Sequence, residues 1–178
     1  LEYFAKESGK FICASAGPNH EALLAAYGCG AVDLSKSASA TVLNIDMGGG
    51  TTKLSIIRDG TVTQTAAISV GARLIAFDEN NVVTRVELPA KFITRELNTQ
   101  VEVGQTITDD VKAAFAAYMG NYLFNVIQAE SLSDLEAQLL VTDRLPDYSG
   151  LNSIDHIVFS GGVSEHIYDH EVPSYGDV

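Results

Sequence analysis

Three runs of strand-forming residues, Thr41 to Asp46, Lys53 to Arg58 and Thr61 to Ser69, follow one another with only short breaks between them. The second break carries Asp59-Gly60, the pair that a two-residue hairpin turn favours, so the pattern predicts an antiparallel meander. Upstream, residues 10 to 16 ("KFICASA") are apolar and β-prone and stop at Gly17-Pro18, which predicts a strand ending in a turn. A helix is expected next, with Asn19 as N-cap, Leu23, Leu24 and Tyr27 on one face and Gly28 as the C′ residue. Its alanines, Ala22, Ala25 and Ala26, are small enough to fill space beside a sheet. A polar, serine-rich link over residues 35 to 40 joins this helix to the meander.

Beyond the meander, Val82 to Glu87 predicts another strand, and Pro89 opens a short helix through Leu97. Thr108 followed by Asp109 and Asp110 is a helix start, because a hydroxyl cap and two carboxylates complement the positive end of the helix dipole. Val111, Phe115, Tyr118, Tyr122 and Val126 then repeat at helical spacing, which makes that aromatic stripe a core-packing face. Ser133-Asp-Leu-Glu136 is a capping box for a further helix through Leu139 and Leu140. "HIVFSGG", residues 156 to 162, predicts a buried strand running into a glycine turn. Meander, helices and strand together predict an α/β layered domain with a mixed sheet.

Composition narrows the function classes. A formal net charge of -12 repels polyanions, so nucleic acid and anionic lipid surfaces are excluded as partners. No apolar stretch approaches the ~20 residues that a membrane helix requires, and the chain reads as soluble and cytoplasmic. Cys13 and Cys29 stand without a CxxC or a histidine pattern, so both are expected as buried free thiols. The chain starts without methionine and stops soon after "SGGVSEHIY", ends that look like cuts through a larger protein.

The first break of the meander carries the chemistry. In "VLNIDMGGGTTKLSII", residues 42 to 57, three glycines and two threonines separate two strands. Removing three Cβ atoms lets successive N–H groups point into one concavity, which suits phosphate, and Thr51 and Thr52 add hydroxyls. Asp46, at the end of the first strand, would repel a bare phosphate, so its presence implies an intervening Mg²⁺ or a water that it orients. The stretch is neither a Walker A loop nor a dinucleotide fingerprint, since the glycines join two adjacent strands. Lys53 is expected to be solvated. His166 and His170 lie four apart beside Glu165, but without a third ligand they read as a solvated chain end. His20 and Glu21 read as cap and surface residues. No serine stands in a nucleophile elbow, and scattered acids such as Asp33 give no sign of converging in a cleft.

This hairpin resembles the second phosphate-binding hairpin of the actin, Hsp70 and sugar-kinase superfamily. "GPNHEALLAAYGCGA", residues 17 to 31, resembles its connecting helix, and "IVFSGGVSE", residues 157 to 165, its adenosine-binding turn. The resemblance implies a ribonuclease-H-like, actin-like ATPase lobe that takes ATP and Mg²⁺. Asp46 would then be the catalytic carboxylate and would hold Mg²⁺ through water. Gly48, Gly49, Gly50, Thr51 and Thr52 would surround the β- and γ-phosphates, and Gly161 and Gly162 would let the nucleoside lie against the backbone. Gly71 matches the first of a glycine pair in Hsp70-like members, but Ala72 replaces the second. The first lobe's own phosphate loop is absent from these residues, as is the helix expected after the adenosine turn. That implies most of a second, C-terminal lobe, with residues 82 to 107 as a small inserted subdomain.

Within the superfamily, "SVGARLIAFDENN", "ELPAKFITRELN" and "FSGGVSEHIY" resemble the ethanolamine ammonia-lyase reactivating factors. Members of that family are chaperone-like ATPases that release damaged cobalamin from ethanolamine ammonia-lyase so that adenosylcobalamin can enter. The partner implied is that lyase, and the place the cytoplasm or a bacterial microcompartment. A small-molecule kinase and a nucleotide-dependent filament protein remain open on the same scaffold.

Overall fold

Residues 17–146, 148–170, 176 and 178 are described by the computed structural model, so the strand expected over residues 10 to 16, and Cys13, lie outside the described residues, while Cys29 is a free thiol that is exposed rather than buried. Strand β1 (Val42–Met47) directs Leu43 and Ile45 to one side and Val42 and Asn44 to the other, and all four are fully buried. Such a strand must lie inside a sheet covered on both faces. It does so here. Strand β2 (Thr52–Arg58) pairs antiparallel with β1, from Val42 opposite Ile57 to Met47 opposite Thr52, and β3 (Thr61–Ile68) pairs antiparallel with β2. The β2–β3 turn is the expected one, with Asp59 and Gly60 both at positive φ, 48° and 75°.

On its other side β1 pairs in parallel with β6 (His156–Ser160), giving a mixed sheet in the order β3-β2-β1-β6. The β6 strand was expected to be buried, yet Ile157 is 40% exposed. Its position explains this, because β6 is the outer strand of the sheet among the described residues.

One face of the sheet is covered by α1 (Pro18–Gly28) and α2 (Ala31–Ala38), where Ala26, Ala31 and Val32 pack on Val42 and Ile57. The expected apolar face of α1 is overturned. Ala22 and Ala26 are fully buried, whereas Leu24 and Tyr27 are 54% and 55% exposed, because only a Cβ fits between helix and sheet. Helix α1 is entered from Gly17 with Pro18 in its first turn, so Asn19 is not the cap. Helix α2 takes up residues 35 to 38, the first four of the expected serine-rich link. Its Ser35 is buried and donates to the Ala40 carbonyl at 2.7 Å while accepting from the Gly60 amide at 3.2 Å, so a serine that reads as linker bridges α2 to the β2–β3 turn.

The opposite face carries the larger core. Leu43, Ile45, Leu54 and Ile56 meet Phe115, Met119, Tyr122 and Val126 of the helix α4 (Asp109–Ile127), so the aromatic stripe is core as expected. Thr108 caps α4, accepting from the Val111 amide. Between meander and α4 stand a second sheet of β4 (Ile75–Phe77) and β5 (Val83–Val86), then α3 (Leu88–Glu96). The three-residue strand β4 has no signature of its own in the sequence. The capping box at Ser133 and Glu136 forms with both reciprocal bonds, but α5 (Asp134–Ala137) stops before Leu139, which is fully buried in the core, and Leu140, which bridges to Ile68. Among the described residues no helix is long and apolar enough to cross a membrane.

Candidate functional site

Strand β1 ends in Asp46 and Met47, and the chain turns through Gly48, Gly49 and Gly50 before β2 begins at Thr52. The turn is held from behind. The Gly48 amide donates to the Thr51 carbonyl at 3.0 Å, and the carbonyls of Gly48 and Gly49 accept from the Ala72 and Arg73 amides at 3.1 and 2.7 Å. Gly49 and Gly50 are exposed, and among the described residues neither amide donates to the main chain. The braced turn thus leaves two N–H groups at the surface, with open space where a Gly50 Cβ would stand and the Arg73 side chain 3.4 Å from where a Gly49 Cβ would stand.

The two threonines diverge. Thr51 stands half-buried where the turn returns, while the Thr52 side chain is buried and donates to the Val70 carbonyl at 2.7 Å. The Thr52 hydroxyl therefore anchors the hairpin to the segment after β3 and does not reach the rim. Lys53 is not solvated as expected: its side chain is only 15% exposed, and Nζ lies 3.1 Å from Glu21 of α1. That pair ties the helix to the strand beside Asp46, whose register partner on β2 is Lys53.

The second glycine turn reaches the same edge, because β1 and β6 run in parallel with Asp46 opposite Ser160. Gly161 follows at φ 83°, and a Cβ there would stand 2.3 Å from the Met47 carbonyl oxygen. That position is closed to any other residue. The Met47 carbonyl also accepts from the Val163 amide at 3.5 Å, so the two turns are joined through one peptide of β1. Gly162 is exposed with open space at its Cβ position. A helix, expected to be absent, does follow: the single turn α6 (Ser164–Ile167).

Two residues that sequence reasoning passed over, or set aside, bear on the site. Gly71 lies behind the triglycine turn, where a Cβ would come 2.6 and 2.7 Å from the Gly49 and Gly48 carbonyl oxygens. Its glycine serves close backbone approach. Ser160 has no motif of its own to mark it, yet its hydroxyl lies 3.0 Å from Asp46 Oδ1. The register between β1 and β6 reveals it, and that pairing is invisible across more than a hundred residues of sequence.

Elsewhere the candidates disperse. His170 Nδ1 lies 3.5 Å from Glu165 at the exposed end beyond α6, Asp109 pairs with Lys112 at 3.0 Å, and among the described residues no three His, Cys, Asp or Glu side chains are grouped to hold a metal ion. A cavity of about 520 Å³ beside α3, lined by Lys91, Arg95, Val101 and their neighbours, is separate from both glycine turns. The displaced titrations are in the core: burial first, and the Glu136 carboxylate second, push the Tyr122 phenol far above its usual range.

The sequence profile of a family described as ethanolamine utilisation protein EutA matches residues 1–178. The ethanolamine ammonia-lyase reactivase EutA of Escherichia coli (strain K12) is 34% identical over 163 residues, which are 92% of this chain and 34% of that protein. The protein of the same name from Salmonella typhimurium (strain LT2) is 34% identical over 158 residues, 88% of this chain and 33% of its own length. The chain thus spans about a third of the length of these curated relatives.

Proposed function

We propose, because this chain belongs to the ethanolamine utilisation protein EutA family, that it is most of the second lobe of an actin-like ATPase acting as a reactivating factor for ethanolamine ammonia-lyase. The complete protein would use ATP to release damaged cobalamin from the lyase, so that adenosylcobalamin can take its place. The observation that carries this reading is the braced, outward-facing triglycine turn beside Asp46, joined through Met47 to the Gly161-Gly162 turn. In this reading β5 and α3 fall within the small inserted subdomain over residues 82 to 107, while β4, the partner of β5, precedes it.

The residues present fit a magnesium nucleotide. The undonated amides of Gly49 and Gly50 suit phosphate oxygens, with Gly48 and Thr51 setting the turn's mouth and Thr52 fixing it to Val70. Gly161 and Gly162 offer bare backbone against which a nucleoside can lie. Asp46, half-buried with one oxygen held by Ser160, would hold Mg²⁺ through water or orient the attacking water. When bound, Mg²⁺ supplies the positive charge that lets a carboxylate and a triphosphate share one site. The turns open at the surface, which agrees with a site completed by another lobe of the protein.

Calorimetric titration of the complete protein with Mg-ATP, together with recovery of cobalamin-inactivated lyase, tests this reading. Gly49→Val should abolish both, because its Cβ would stand 3.4 Å from the Arg73 side chain and the branched methyls would push the turn off its brace. ATP affinity unchanged in that variant would overturn the phosphate-binding role of the turn.

A further inference from the structure

Ser160 links the strand ends that carry the two glycine turns through a side-chain contact to Asp46. It is 9% exposed, it is the register partner of Asp46, and its Oγ lies 3.0 Å from Asp46 Oδ1 and 3.3 Å from Asn44 Oδ1. A serine hydroxyl has one proton, so it serves one of these acceptors at a time. The carboxylate is nearer and charged, and charge-assisted hydrogen bonds are roughly twice as strong as neutral ones. The Ser160 hydroxyl therefore donates to Asp46.

Behind Ser160, Asn44 is fully buried and its Nδ2 has no partner, while its Oδ1 also lies 3.3 Å from Cys29 Sγ at the end of α1. A fully buried carboxamide with an orphan donor is costly in a strand position where an aliphatic residue would pack. Its placement is explained if the carboxamide is turned over, so that Nδ2 takes the position 3.3 Å from Ser160 Oγ and donates to it while the serine proton goes to Asp46. The chain Cys29, Asn44, Ser160, Asp46 then runs along one face of the sheet from α1 to the triglycine turn.

We infer that Ser160 is a positioning residue for the cation: its hydroxyl pins Oδ1 of Asp46, so that Oδ2 is presented toward the water-held Mg²⁺ at the triglycine turn, with Asn44 as its support. The strand that carries the nucleoside turn thereby sets the carboxylate on the phosphate side. The inference rests on the magnesium-nucleotide reading of the site given above, and the experiment separates the two.

ADP binding to the complete protein is measured by calorimetry across a magnesium series and in EDTA, for wild type, Asp46→Asn, Ser160→Ala and Ser160→Thr. Ser160→Ala should raise the half-saturating magnesium concentration roughly tenfold, the effect of losing one charge-assisted hydrogen bond. Its magnesium-free ADP affinity should stay within about twofold of wild type, and Ser160→Thr should restore the magnesium dependence. If wild type binds no ADP, or Asp46→Asn keeps the full magnesium dependence, the reading of the site itself fails. If those two controls behave and Ser160→Ala matches wild type, the positioning role fails alone. Equal loss of magnesium-dependent and magnesium-free affinity in Ser160→Ala, or a threonine variant no better than alanine, would show a merely structural serine and also overturn it.

Discussion

Gly161 and Gly162 are adjacent and chemically identical, but their surroundings differ. At φ 83°, with a prospective Cβ 2.3 Å from the Met47 carbonyl, Gly161 has no room for a side chain, whereas Gly162 has open space. Gly161→Ala should therefore cost about 2–4 kcal/mol, combining left-handed strain with a backbone clash, and Gly162→Ala should cost under about 1 kcal/mol. Chemical denaturation of the two variants checks this, and equal midpoints would refute the close approach. Tyr122 offers a second test. Its hydroxyl is buried without a partner, so Tyr122→Phe removes an unsatisfied group and should stabilise the protein by about 1 kcal/mol. The same burial raises the folded-state phenol pKa above its unfolded value of 10.0. The neutral form is then favoured by folding: the stabilisation is fully present below the unfolded value and is lost as pH rises past it toward the folded one. Stability measured against pH should fall above about pH 10, and less steeply in Tyr122→Phe.

At the scale of elements, what holds the triglycine turn in place is the segment after β3. Gly71 allows the Ala72 and Arg73 amides to reach the Gly48 and Gly49 carbonyls, and Val70 receives the Thr52 hydroxyl. Gly71→Ala should shift the turn rather than unfold the sheet, weakening nucleotide affinity at least tenfold with a stability loss of about 1–3 kcal/mol. Unchanged affinity by calorimetry would show that the turn does not need its support. Elements with local signals were legible in the sequence: the Asp59-Gly60 hairpin, the Thr108 cap and the Ser133 capping box are each written in two to four adjacent residues and form as read. Elements set by tertiary partners were not. Helix α2 is hidden by serines, one of which is buried, and β4 is three residues long and exists by pairing with β5. The buried face of α1 was misjudged because the sheet accepts alanine there and leaves the larger Leu24 and Tyr27 outside.

For the whole molecule, the same distinction governs the site. Asp46 and the triglycine turn stand out in the sequence because glycine runs need a reason, but Ser160 becomes visible only through the pairing of β1 with β6. Lys53 was misread for a related reason, since its partner Glu21 comes from a helix more than thirty residues earlier. The glycine turns lie open at one edge of the sheet, and the chain spans about a third of its curated relatives. The 178 residues alone should therefore bind Mg-ATP weakly and turn it over negligibly, whereas the complete protein should do both. A phosphate-release assay on the two decides, and robust hydrolysis by the shorter chain would overturn the half-site argument.

The parallel seam between β1 and β6 has an evolutionary consequence. Because the ladder from Val42–His156 to Asp46–Ser160 brings the two turns to one edge, and the segment just after β3 braces the first of them, the elements strung between Arg73 and β6 can grow, shrink or be exchanged without disturbing that alignment, so long as their own packing survives. Descendants of this chain are free to vary the middle and remain bound to the seam.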